Sequence, residues 1–145
     1  MEEIIQEKIS ADHLLYVSLK YTKTCDVIMN LLLRWRKMID ICIIQTLKDA
    51  KNKGKISEVS DNAIGRINEI KKLLKKDKNA IDTVDFFMML RKIESLKTER
   101  IGEFRKNVTL KVIFRGKEIN INLEKLKEYA EMLEIFIDQI KKRLK

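Results

Sequence analysis

The sequence predicts a mainly α-helical protein with one β-hairpin before its last helix, and three observations predict it. The 145 residues include no proline, so helices can run without a break. Apolar residues recur at spacings of three and four over most of the chain, as on one face of a helix. Between Val108 and Leu123 they alternate with polar residues instead, which is typical of strands. We expect a single helical domain, residues 1–145, of roughly four helices in a bundle.

Composition favours a globular protein without a membrane span. Apolar residues make up 45% of the chain and charged residues 37%. No signal peptide is evident, and charges interrupt the richest apolar segment, Val27–Leu47. Cys25 and Cys42 lie about 25 Å apart if they share one helix, so they cannot bridge each other and are expected to be free thiols in a reducing compartment. We therefore expect a cytoplasmic protein. Its abundance of Lys, Glu and Ile also fits a heat-adapted source.

The first helix is predicted to be very long, from about Ser10 to Gly54, or about 65 Å. A kink, or a separate short helix over Glu2–Ile9, is the alternative. Apolar residues nearly surround this helix, and three further helices of one chain would struggle to cover it. The sequence therefore predicts a homodimer, with an interface formed by Leu31, Trp35, Met38 and Ile41.

Two shorter helices are expected to follow a polar loop. The first runs over about Asp61–Lys78 and contains Gly65, which costs about 1 kcal/mol unless a neighbour packs closely against it. The second is capped by Asp82 or Thr83 and continues to about Arg105.

The hairpin and the last helix carry the clearest local signals. Residues 108–122 form two alternating runs around a turn at Arg115–Lys117. Asn122 then caps the final helix, whose apolar residues recur at spacings of three and four up to Leu144.

The net charge of +9 is unevenly distributed. Residues 1–50 are neutral overall, so the excess lies in residues 51–145. A basic surface attracts nucleic acid and other polyanions. The alternative is that cations at the ends of helices complement the helix dipoles. The residues in question are Lys71, Lys72, Lys75, Lys76, Lys78, Lys141, Lys142, Arg143 and Lys145.

Signals for catalysis are weak. His13 is the only histidine, and no pair of Cys or His residues has the spacing of a zinc site. The four glycines are scattered singly, which argues against a phosphate-binding loop. We therefore assign no catalytic residue, no metal site and no cofactor.

The corner between the third helix and the hairpin, Glu103–Thr109, is the most distinctive segment. It concentrates Arg105, Lys106 and Asn107 where a helix meets a strand. Together with the long first helix and the final helix, this corner resembles the HEPN superfamily of small helical proteins, over residues 10–50 and 100–145. The resemblance implies dimers formed through long helices and, in many members, RNase activity or pairing with a nucleotidyltransferase. It also implies that Arg105, Lys106 and Asn107, with Lys111, contact a nucleotide or nucleic acid; the alternative is that they only fix the corner.

The sequence departs from that family at two points: the hairpin is an insertion on the simplest version of the family pattern, and the family histidine is absent. The resemblance places Arg105 as the family arginine and Lys106 or Asn107 as its polar neighbour, but the family histidine is missing from Leu110 to Val112. We therefore predict a non-enzymatic, dimeric binding module that engages nucleic acid or a partner protein. One alternative is an RNase or nucleotide-handling enzyme that uses Arg105. Another is a structural subunit of a toxin–antitoxin type of complex.

Overall fold

The computed structural model describes residues 1–145 and is built around one central helix of 28 residues. Five other helical segments and a small sheet pack around it. In chain order the elements are α1 (Glu2–His13), a π-helical turn (Leu14–Ser18), α2 (Leu19–Tyr21), α3 (Cys25–Asn52), α4 (Ala63–Leu73), α5 (Lys78–Lys92), a 3-10 turn (Ile93–Ser95), β1 (Thr98–Ile101), β2 (Thr109–Phe114), β3 (Lys117–Asn122) and α6 (Leu123–Arg143).

The prediction of one continuous helix from Ser10 to Gly54 is wrong, because the chain reverses at residues 22–24. Thr24 has an extended backbone, and its hydroxyl accepts a hydrogen bond from the Val27 amide, so that it caps α3. The N-terminal helical segment then runs antiparallel to α3. The N-terminal ammonium of Met1 donates to the Gln45 side chain near the far end of α3.

This reversal changes the argument for a dimer. The structure buries Leu31, Trp35 and Met38 completely or almost completely within a single chain, and only Ile41 is half-buried. The premise that one chain could not cover the apolar surface of α3 is therefore wrong. The first three side chains are already packed inside the protein, so self-association stays a prediction without this interface to support it.

The boundary between α4 and α5 falls earlier than expected. Asp77 caps α5 by accepting a hydrogen bond from the Ala80 amide, so the helix already begins at Lys78. The sequence placed this break at residues 79–82, with Asp82 or Thr83 as the cap. Thr83 is instead buried inside α5, where its hydroxyl donates to the Asn79 carbonyl.

The predicted hairpin is part of a three-stranded antiparallel sheet in the order β1-β2-β3. The helix expected to reach Arg105 ends at Lys92, and Thr98–Ile101 forms a strand beside β2. All four residues of this strand are exposed, so it lacks the apolar alternation by which strands are recognised. Facing the helices, Val108, Leu110, Val112 and Ile121 join a hydrophobic cluster of 33 buried residues.

The predicted cap and start of the last helix are confirmed. The Asn122 side chain accepts a hydrogen bond from the Lys125 amide, and α6 runs from Leu123 to Arg143. None of the six helices combines the length and the apolar composition that crossing a bilayer requires.

Candidate nucleic-acid interface

The predicted contact residues Arg105, Lys106 and Asn107 lie in the loop between β1 and β2, and all three are exposed. The side chains of Arg105 and Lys106 form no ion pair and no hydrogen bond within the protein. Phe104 beside them is 75% exposed and adopts a left-handed backbone with φ of 67°. The loop therefore presents two cations and an aromatic ring to solvent.

This loop is fixed to the start of α3. Both carboxylate oxygens of Glu103 lie 3.3 Å from the amide nitrogen of Cys25, and the Phe104 amide donates to the Lys23 carbonyl. Arg100 forms an ion pair with Asp26 in the first turn of α3. Glu103 therefore acts as a second cap of α3, a role that the sequence spacing does not reveal.

Lys111 differs from Arg105 and Lys106 because two carboxylates pair with it. Its ammonium group lies 2.5 Å from the Glu118 carboxylate and 3.6 Å from that of Glu99. The three side chains come from neighbouring strands of the sheet. Lys111 is thus neutralised on the sheet and does not extend the positive surface of the loop.

A much larger concentration of positive charge lies at the opposite end of α3, about 40 Å away. Here the C-terminal ends of α3, α4 and α6 meet, and the Lys53 ammonium donates to the Arg143 carbonyl at 2.9 Å. Two concavities, of about 240 and 370 Å³, share Leu73 and Arg143 among their lining residues. We call this surface the basic end; its cations are Lys53, Lys55, Lys72, Lys75, Lys76, Lys142, Arg143 and Lys145.

Few carboxylates oppose these cations. Asp49 pairs with Lys53 at 2.9 Å, and none of the other seven cations forms an ion pair. The only other carboxylate that lines the two concavities is that of Asp77, which accepts the capping hydrogen bond of α5. Glu58 and Glu69 line an adjoining concavity together with Lys55 and Lys72. The basic end therefore carries a positive charge that nearby carboxylates compensate only in part.

The sequence located most of the basic end. Six of its cations lie in the two lysine-rich helix ends that the charge distribution singled out. Lys53 and Lys55 were overlooked, because they follow α3 in a polar loop that carries no pattern. Only the fold brings this loop against the end of α6.

The two cysteines are not activated thiols. Both are free and buried, as expected. Burial, reinforced by the nearby Glu103 carboxylate, raises the pKa of Cys25 to about 11, and burial raises the pKa of Cys42 to about 12. Because the thiolate is the nucleophilic form, neither side chain is a nucleophile at neutral pH.

Comparisons of the chain with protein-family models, with curated proteins and with solved structures find no match. The HEPN-like resemblance therefore stays a prediction, and the functional argument depends on the geometry of this chain alone.

Proposed function

We propose that the protein is a non-enzymatic module that binds the phosphate backbone of nucleic acid through its basic end. The observation that supports the proposal is the convergence of eight cations from three helix ends on one surface, with a single ion pair among them.

The helix dipoles do not account for this charge. Each helix C-terminus carries about half a negative elementary charge, so three ends offset fewer than two of the eight cations. The remaining cations repel one another, which destabilises the folded chain in the absence of a polyanion. Such an excess is typical of surfaces that exchange small counterions for phosphate groups.

The chemistry of the surface favours nucleic acid over a folded partner protein. Seven of the eight cations are lysines, and all but Arg143 are exposed. No exposed aromatic side chain accompanies them, although aromatic residues are enriched in the core of protein interfaces. Lysine contacts phosphates as a point charge, and phosphate contacts carry no sequence information, so we expect binding without sequence preference.

The proposal is tested by fluorescence anisotropy with labelled single-stranded and duplex RNA over a range of salt concentrations. Binding should weaken steeply as salt rises, with a log–log slope of about −0.7 per phosphate neutralised on the single strand and a steeper slope on the duplex. The triple variant Lys72→Gln/Lys75→Gln/Lys76→Gln should reduce that slope by about 2–3 and weaken binding at least about tenfold.

The matched control is a second triple variant that removes three positive charges outside the basic end. Lys97, Lys117 and Lys127 are exposed and form no ion pairs, so the triple variant Lys97→Gln/Lys117→Gln/Lys127→Gln should bind nearly as the unmodified protein does. Equal weakening by both triple variants would show that binding depends on the total charge of the protein and not on the basic end, and it would contradict the proposal. Absence of binding at low salt would overturn the proposal, as would a slope that the basic-end variant leaves unchanged.

A further inference from the structure

A second cation-lined cavity lies near the middle of α3, about 20 Å from the basic end along that helix. It has a volume of about 250 Å³ and is formed where α3 meets α4 and α5. We call it the arginine pocket; its lining residues are Arg36, Lys37, Asp40, Ala63, Arg66, Phe87 and Arg91.

Four cations face a single carboxylate in this pocket. Arg36 and Lys37 are held by carboxylates that lie outside the lining, Glu94 at 2.8 Å and Glu7 at 3.0 Å. Arg91 is half-buried and forms no ion pair. The pocket therefore holds one guanidinium, that of Arg91, without a carboxylate partner, and a second, that of Arg66, with only a long contact to Asp40.

Arg66 is the least satisfied of these side chains. It is 17% exposed, and the nearest carboxylate oxygen, on Asp40, lies 4.0 Å away. One terminal nitrogen donates to the Ser60 carbonyl at 3.3 Å, while the buried Nε has no partner. Withdrawing a guanidinium from water without a close anion is costly. The buried Nε is closed to a ligand as it is to water, but an anion beside the exposed part of this guanidinium would offset part of that cost.

The start of α4 adds to the positive potential. Ala63, its first residue, lines the pocket, and the Asn62 side chain satisfies only the Gly65 amide of the first turn. The N-terminal end of a helix carries partial positive charge and free N–H groups that favour anions. Phe87 supplies a buried apolar wall. The lining thus suits a compact anion with a small apolar or planar part attached.

We propose that the arginine pocket binds a phosphate monoester, with Arg66 and Arg91 as its principal ligands. Phosphate is favoured over carboxylate because several planar guanidinium groups can share its oxygens through paired hydrogen bonds. The monoester belongs either to a small phosphorylated metabolite or to the 5′ end of an RNA chain, and the two sources share this chemistry.

Titration calorimetry with inorganic phosphate, pyrophosphate and adenosine monophosphate tests the pocket, at ionic strength matched with chloride. We expect saturable binding of at least one of these anions, which Arg91→Gln should weaken by about tenfold or more, the value of one charge-assisted hydrogen bond. Lys92→Gln is the matched control, because Lys92 is the exposed neighbour of Arg91 on α5 and forms no ion pair. It should change affinity by less than about twofold.

Two further experiments identify the source of the phosphate and distinguish binding at the arginine pocket from nucleic-acid binding at the basic end. An RNA with a 5′-phosphate is compared with the same RNA carrying a 5′-hydroxyl, and tighter binding of the first that Arg91→Gln abolishes supports a chain end as the ligand. The Lys72→Gln/Lys75→Gln/Lys76→Gln variant should keep its affinity for the free anions. The proposal is overturned if no phosphate compound binds at millimolar concentration, or if Arg91→Gln and Lys92→Gln reduce affinity equally.

Discussion

Gly65 occupies a position in α4 where packing outweighs helix propensity. An added Cβ would lie 2.0 Å from the Ser60 Oγ and 2.6 Å from the Ser60 Cβ. The backbone of Ser60 is held on both sides, because its amide donates to Glu69 and its carbonyl accepts from Arg66. A glycine inside a helix is expected where a neighbour packs closely against it, and Ser60 is that neighbour.

We predict that Gly65→Ala lowers the free energy of unfolding by about 1–3 kcal/mol, the usual cost of overpacking. This exceeds the gain in helix propensity, which is at most about 1 kcal/mol. Urea unfolding measures the change. In a Ser60→Gly background most of this cost should disappear, since the two closest atoms are gone and only the Asn62 Oδ1, at 3.2 Å, stays in tight contact. A stabilising effect of Gly65→Ala in the unmodified protein would contradict the structure.

At the scale of elements, Glu7 ties α1 to α3. The Glu7 carboxylate is mostly buried and lies 3.1 Å from Arg34 and 3.0 Å from Lys37. Burial alone would raise the pKa of Glu7, but the hydrogen bonds and charges of Lys37 and Arg34 outweigh it and hold this pKa below its ordinary value. The ionised form is therefore favoured by folding, and its contribution to stability is present above the unfolded pKa of about 4.3.

We predict that Glu7→Gln lowers the free energy of unfolding by about 2 kcal/mol at pH 7. The difference from the unmodified protein should shrink as the pH falls through the folded pKa of Glu7, because protonation then neutralises the same carboxylate. Urea unfolding at pH 7, 5 and 3 measures it. Glu131→Gln, at an exposed position without an ion pair, should cost less than about 0.5 kcal/mol at each pH. A pH-independent deficit in Glu7→Gln would show that the ion pairs are not responsible.

The elements differ in how far the sequence predicted them, and the reason is physical. The boundaries of α6 were recoverable because a strong cap at Asn122 and an uninterrupted apolar stripe specify them locally. The reversal at Thr24 also has a local signal, a capping threonine with Asp26 in the first turn, but apolar residues on both sides concealed it. β1 has no such signal, since its residues are exposed and only its pairing with β2 defines it.

The basic end and the arginine pocket differ in the same respect: the sequence reveals most of the first and almost nothing of the second. Most cations of the basic end cluster in the sequence, so composition located them. Arg36, Arg66 and Arg91 are about 25–30 residues apart on three different helices, so only the packing of α4 and α5 on α3 joins them in one pocket. The four residues predicted around Arg105 stand apart from both surfaces, and their role stays a prediction.

At the scale of the whole molecule, α3 is the element on which the rest of the fold depends. Trp35 lies near its middle, with ring centroids 6.1 Å from Phe86 on α5 and 6.4 Å from Tyr129 on α6. Phe86 and Tyr129 are themselves stacked at 4.1 Å. This aromatic cluster joins three helices, and Trp35 is the only tryptophan, so its fluorescence reports on the centre of the protein.

We predict one cooperative unfolding transition in urea, with Trp35 fluorescence and far-ultraviolet circular dichroism superimposing, because no element has a core independent of α3. Phe86→Ala should cost about 3–5 kcal/mol, a large part of the 5–15 kcal/mol typical of a domain. Phe104→Ala, at an exposed phenylalanine, should change stability by less than about 0.5 kcal/mol. If circular dichroism instead falls at lower urea than fluorescence, the N-terminal helices unfold separately and α3 does not unite the fold.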